Sequence, residues 1–369
     1  MHTKPSLDNV SARMGQGNID AQYQMLLGGI NHMISATVAP MMDNSNGLIL
    51  FQRPDFNMSD ANLRSFRLAT PYLTEDRISI PYYIRALMDP RGNEHCGVHR
   101  RAVTGNSRSL STPLLNAKSA FIDVFTNSCD SLTGWPDIEL SVAVSEPGQI
   151  KEQTIQYDYH STNYESITLT GEFKNFRGGI ITAITRAIWI YCGNVKSGVF
   201  WPYPINGLNH RLDYFTRIWR IVMDGNTDRI ANLASTRALI GAYPVGAGLN
   251  YSRATPVGED STTVSIPFTC SGFEVDDPIL VYEFNWAVAM FNPSMAIDEA
   301  ELINILASDD SVHAVDVERK MLEQNGMTCI NGVDKILFNY RGYPRITVDQ
   351  RLTWWVPVEE YDLKIAMYD

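Results

Sequence analysis

Apolar residues in this chain recur mostly with a period of two, in short runs cut by Gly, Pro, Asn and Asp. The runs "IELSVAV", "EQTIQYDY", "YESITLTGEF", "RIWRIVM", "TTVSIPFTC" and "DPILVYEF" predict a set of strands between about residues 135 and 293. "RIVMDGNTDRI" predicts a hairpin folded around Asp224-Gly225-Asn226. Helical spacing is rarer. "MSDANLRSFRLATP" offers Ser59 as N-cap, Leu63, Phe66 and Leu68 as its apolar positions, and Pro71 as a stop. "GGIITAITRAIWIYCG" reads as a buried helix ended by Gly193, too short for a bilayer span of roughly 20 apolar residues. Ile297, Leu302, Ile305 and Leu306 predict a further helix, and "DKILFNY" and "LTWWVPV" predict strands near the C-terminus.

These patterns divide the chain into a polar N-terminal arm (1–20), a mixed helical and extended region (21–134), a β-rich core (135–293) and an acidic C-terminal α+β region (294–369). The mixed region includes a long loop at 91–113, rich in Gly, Ser, Asn and Arg. The expected class is α+β, with a sandwich-like β-rich core, helical additions and the polar arm. No internal repeat, heptad run or low-complexity tract is visible.

One strand breaks the usual alternation. "LNHRLDYFTRIWRIVMDGNTDRI" is apolar on both faces, yet Arg211, Arg217 and Arg220 stand among Tyr214, Phe215, Ile218, Trp219 and Ile221. A guanidinium in such surroundings loses water and is tolerable only if its donors find acceptors. Two readings follow. The strand lies at a subunit contact, where Arg, Tyr and Trp are enriched, with Arg211, Tyr214, Arg217, Trp219 and Arg220 as interface residues. Alternatively it is internal, and its arginines pair with core carboxylates such as Asp213.

Composition bears on that choice. Apolar residues make up 44% of the chain and charged residues only 19%, which points to surface buried against other subunits. The net charge of −11 disfavours a nucleic-acid coat. Charge is unevenly spread: residues 1–120 carry twelve Lys/Arg and nine Asp/Glu, residues 254–369 seven and twenty. A solvated acidic face accounts for this, and so does a basic half of one copy meeting the acidic half of the next. The five cysteines are scattered and never form a CxxC pair, as in a reducing compartment. No secretory signal and no membrane span are visible.

Local chemistry is sparse. His95 and His99 are four apart with Cys96 beside them, but Gly92 and Gly97 argue against the helix that would let them share a zinc ion, so no metal is expected. "DGNTD" opens like a calcium loop, yet Arg229 and Ser235 stand where that loop needs Gly and Glu. No P-loop, GxSxG elbow or HExxH occurs. No catalytic residue and no cofactor are expected. An enzyme would have to assemble its site from distant residues, as a virion-borne hydrolase could. A host-recognition module would call for a repetitive Gly/Ser/Thr-rich β pattern that is absent.

The arginine strand also carries a resemblance. Leu212, Asp213, Tyr214, Thr216, Arg217, Ile218, Arg220, Val222 and Asp224 match a strand of uncharacterised virion structural proteins of large contractile-tailed bacteriophages. Ala242, Pro244, Val245, Gly246 and Ala247 in "AYPVGAGLNYS" are similar to the stretch that follows it in that family, as are "CSGFEVDDPILVYEFN" and "MFNPSM" further on. The resemblance covers about 180–295. It implies a structural component of the virion, multi-copy and assembled in the host cytoplasm. The position it favours is the neck or collar, with the baseplate or another tail position second. The implied partners are copies of the chain in a ring and other virion structural proteins, with neither nucleic acid nor membrane.

Overall fold

Five of the six predicted core runs are strands in the computed structural model, which describes residues 45–89, 110, 112–137, 141–151, 153–159, 166–176, 178–203, 215–224, 229–242, 263–298, 314–330 and 342–367. The chain runs through β1 (Ser45–Phe51), α1 (Asp60–Ser65), a 3₁₀ segment (Arg67–Leu73), α2 (Ile80–Met88) and α3 (Asp123–Ser128). Next come β2 (Cys129–Thr133), β3 (Ser141–Val144), β4 (Ile155–Tyr159), β5 (Ser166–Lys174) and α4 (Ile180–Lys196). Then follow β6 (Thr216–Asp224), β7 (Ile230–Ile240), β8 (Thr263–Val275) and α5 (Pro278–Phe291). A 3₁₀ turn (Pro293–Met295), α6 (Ala314–Gln324), β9 (Met327–Ile330), β10 (Tyr343–Ile346), β11 (Leu352–Pro357) and α7 (Val358–Ile365) complete it.

Six strands form one antiparallel sheet in the order β1-β6-β7-β8-β5-β2. The class is thus α+β and β-rich. The sheet reaches beyond 135–293, since its edge strands β1 and β2 come from the preceding region. Period-two alternation sorts its side chains. Phe51, Ile218, Phe173, Val264, Ile266 and Phe268 point to one face, where α2 and α4 cover them. Leu50, Trp219, Ile221 and Leu233 point to the other, where α5 and the sheet β10-β11-β9 cover them. Phe51, Phe125, Phe173 and Phe268 meet at centroid distances of 5.2–6.2 Å in tilted and edge-on pairs, the arrangement aromatic quadrupoles favour.

Three local expectations are corrected. "DPILVYEF" opens helix α5 instead of forming a strand. Asp277 caps it by accepting from the Ile279 N–H at 3.0 Å, and Pro278 occupies the first turn, where its missing N–H costs nothing. The helix is apolar around most of its circumference, so the 3.6-residue period is blurred. Helix α4 runs through Gly193 to Lys196. Its stop is Gly198, whose φ of +75° supplies the left-handed turn and whose N–H donates to the Val195 carbonyl at 3.1 Å. Pro71 lies inside a 3₁₀ segment and does not end the helical stretch, because the tighter winding continues from Arg67 to Leu73. The hairpin around 224–226 is present as the β6–β7 pair, with turn residues 225–228 outside the described residues. The arm at 1–20, the helix expected at 297–306 beyond residue 298, and "DKILFNY" also lie outside them.

Two buried arginines lock the layers. Arg53 leaves β1 and donates to the carbonyls of Ala86 and Leu87 at the C-terminal end of α2 (2.9 and 3.1 Å) and to those of Ala117 and Ser119 (3.1 and 2.9 Å). Burial pulls its pKa down to about 10. Arg345 on β10 pairs with Glu318 on α6 at 3.0 Å, both almost fully buried, and Glu318 also accepts from the Val348 N–H.

Candidate subunit interface

Strand β6 lies inside the sheet between β1 and β7. Alternation sends Arg217 and Trp219 to the face under α5, and Arg220 to the opposite face. Arg217 Nη2 meets Glu274 of β8 at 2.9 Å, Nη1 meets Glu283 of α5, and Nε donates to Ser235 of β7 at 2.5 Å. Its guanidinium lies 4.3 Å from the Trp219 ring centroid. One side chain thus ties three other elements together and is 16% exposed. Trp219 is 0% exposed, stands edge-on to Phe284 at 5.3 Å and donates from Nε1 to Gln52 at 3.3 Å.

Arg220 is served less fully. Its Nη2 donates to Asn232 Oδ1 at 2.9 Å, and its guanidinium covers the Trp135 ring at 4.7 Å. Asn232 in turn donates to Asp276 at 2.8 Å, so the carboxylate reaches the arginine through an amide. Nε is buried without a hydrogen-bond partner. Desolvation lowers the pKa of this arginine, and the charge of Asp276 opposes that shift.

The structure therefore brings Arg217 and Trp219 together, places Arg220 behind them, and leaves Arg211, Tyr214 and Asp213 outside the described residues. The carboxylates that meet Arg217 are Glu274 and Glu283, each far from it in sequence. Sequence spacing alone does not reveal them.

Exposed apolar surface lies elsewhere. Strands β3 and β4 form a two-stranded hairpin with Val142, Val144 and Ile155 exposed, and none of its described side chains is buried. Its tip is closed by its own bonds, Ser145 N–H to the Thr154 carbonyl and Thr154 N–H to Ser145 Oγ, both at 2.9 Å. Helix α7 buries no residue and exposes Leu363, and Met367 in the turn after it is exposed too. Trp201, just beyond α4, is 73% exposed. Among the described residues no group of three or more His, Cys, Asp or Glu could hold a metal ion, and no helix is long and apolar enough to cross a membrane. His95, Cys96 and His99 lie outside them. Cys129, Cys192, Cys270 and Cys329 form no disulfide.

Residues 3–368 match the family described as "Putative phage tail tube protein". The chain belongs to this phage tail tube protein family. Its members are structural tail proteins, so the resemblance carried by the β6 strand, α5 and their neighbours holds at the level of a virion tail component. The chain is also similar to the sheath/tube terminator of the extracellular contractile injection system PVC in its extended state. The identity is 9% and the TM-score 0.22, over 40% of this chain and 84% of that one. It is similar to the tube-terminating cap of the anti-feeding prophage at 10% identity and a TM-score of 0.24, over 48% of this chain and 99% of that one. Likeness at that level places no residue. No curated protein matches the chain.

Proposed function

We propose that this chain is a multi-copy subunit of the tail tube of a contractile-tailed phage, which self-associates in a ring and docks on neighbouring ring proteins without chemistry of its own. Membership of the tail tube family supports the tail role and favours the tube over the neck, collar or baseplate. Self-association is supported by the β3–β4 hairpin. A lone two-stranded hairpin is marginal in water, and one that exposes Val142, Val144 and Ile155 gains stability only when another surface covers it. In a particle built of many copies, the surface at highest local concentration is the next copy. The partners are protein, in keeping with a net charge of −11, and unbridged cysteines suit assembly in the host cytoplasm before incorporation into the virion.

Two measurements test this. Sedimentation of the purified chain at physiological salt should show rings or larger species, and Val142→Asp with Ile155→Asp should reduce them to folded monomer. A wild-type chain that stays monomeric at tens of micromolar overturns the self-association. Electron microscopy of the particle with a labelled chain should place it along the tail; label confined to the neck or baseplate overturns the tube position.

A further inference from the structure

The helical side of the protomer, built from α1, the 3₁₀ segment, α2 and α4, ends in an open cavity of about 310 Å³. Leu68, Pro71, Ile80, Ile84 and Ala183 wall it, and among the described residues the one charged side chain in its lining is Arg186, which is exposed. The elements that build this side carry more exposed arginines than carboxylates: Arg64, Arg67, Arg77 and Arg186 against Glu75 and Asp76. Beside α1, the backbone of Trp201 is fixed: the Asn57 and Asn62 amides donate to its carbonyl at 2.8 and 3.0 Å, and its N–H donates to Asn62 Oδ1 at 3.2 Å. An exposed indole on an immobilised backbone loses little entropy on being covered, which is what a binding anchor requires.

The complementary surface is α7. Leu363 in α7 and Met367 in the turn just past its end are 64% and 80% exposed, and Glu359, Glu360 and Asp362 accompany them. Helix α7 rests on β9 and β11 through Tyr361, and that small sheet covers the α5 face of the large one. Helix α4 covers the other face. The apolar-basic surface and the apolar-acidic surface thus lie on opposite sides of one protomer.

We infer that the cavity beside α4 receives helix α7 of a second copy. Leu363 and Met367 enter the apolar walls while the α7 carboxylates face Arg186, Arg64 and Arg67. Each copy then offers one half of the contact on each side. Such a heterologous contact propagates from copy to copy and closes only as a ring, never as a two-fold dimer. This inference rests on the self-association proposed above and adds a second contact to that of the β3–β4 hairpin.

The test uses the full chain with a photo-crosslinking amino acid at Leu363, in an equal mixture of isotopically light and heavy copies. Crosslinks should join light to heavy chains and map to residues 64–84 or 179–201. In parallel, Leu363→Asp with Met367→Asp should weaken self-association about tenfold or more, because two apolar side chains are withdrawn from burial. The melting temperature should not change, since both are exposed in the protomer. Arg186→Glu should weaken self-association in the same direction. Crosslinks within one copy, or to another surface, overturn the inference even if the chain assembles. Assembly unchanged in the α7 variant also overturns it. A wild-type chain monomeric at every concentration overturns both this contact and the self-association on which it rests.

Discussion

Strand β6 and the β3–β4 hairpin are both antiparallel and rich in Val, Ile and aromatic residues, yet their surroundings are opposite. In β6, Ile218 and Trp219 face different sides of the sheet and both are buried, one among Phe51 and its aromatic neighbours, the other against Phe284 of α5. The hairpin has neither cover: Val142, Val144 and Ile155 meet no core cluster among the described residues. Apolar alternation in a strand therefore has two meanings. It marks the middle layer of a three-layer protomer in one place and apolar surface that the described protomer leaves uncovered in the other. The arginines separate the cases. An arginine is kept inside β6 because Glu274, Glu283 and Ser235 are brought to it by three other elements, a solution open only to a strand already surrounded.

The comparison breaks most readily at the cover over β6. Phe284 is fully buried and packs on Trp219 and on Phe121, with centroids 5.3 and 5.4 Å away. Phe284→Ala should destabilise the protomer by about 3–5 kcal/mol, through lost transfer energy and the cavity left behind. Denaturant melting of the dispersed chain measures this. A loss under ~1 kcal/mol would mean that α5 does not seal this face.

A smaller effect is expected at the arginine. Arg217→Ala removes three charge-assisted bonds but leaves Glu274 and Glu283 partly exposed, so water takes over much of their solvation. The expected loss is about 1–3 kcal/mol. Arg217→Lys should recover only part of it, because an ammonium cannot serve two carboxylates and a hydroxyl in one plane. Arg220→Ala should cost less than Arg217→Ala, since Arg220 donates to Asn232 and carries a buried Nε with no acceptor. Melting of the three variants ranks them. An Arg220 loss larger than that of Arg217 would reverse this account of which arginine holds the sheet.

Much of the large sheet was legible in sequence because period two is a local signal. β5, β6 and β8 stand where alternation placed them, and β11 answers to "LTWWVPV". Helix α5 is illegible as a helix in the pattern of "DPILVYEF". Its exposed face is apolar too, with Trp286 and Met290 on it, so the helical period is blurred, although Asp277-Pro278 carries a helix-start signal in plain view. The site was less legible than the fold. An arginine inside an apolar run announces that it needs acceptors, but not whether they belong to its own chain. Glu274 and Glu283 stand 57 and 66 positions beyond Arg217 and reach it only through the β6-β7-β8 order and the return of α5. Alternation in "IELSVAV" likewise predicted strand β3 but could not report that nothing in the protomer covers it.

The hairpin is where the protomer should notice least and the assembly most. Val144→Ser with Ile155→Ser alters a directly opposed pair, so their mutual contact is lost along with two exposed apolar surfaces. Cross-strand pairs contribute roughly 0.2–1 kcal/mol, and a hairpin outside the core passes little of that to global stability. Melting of the dispersed protomer should therefore shift by no more than about 0.5 kcal/mol, the range of ordinary surface changes. Self-association should weaken more than that, because covering a Val or Ile side chain in an interface is worth about 1.5–3 kcal/mol. The two numbers come from one variant, by melting at low concentration and by sedimentation across concentrations. If both shift equally, the hairpin belongs to the protomer's own core. If neither shifts, its apolar face is solvated in the particle too, and the contrast with β6 loses its meaning.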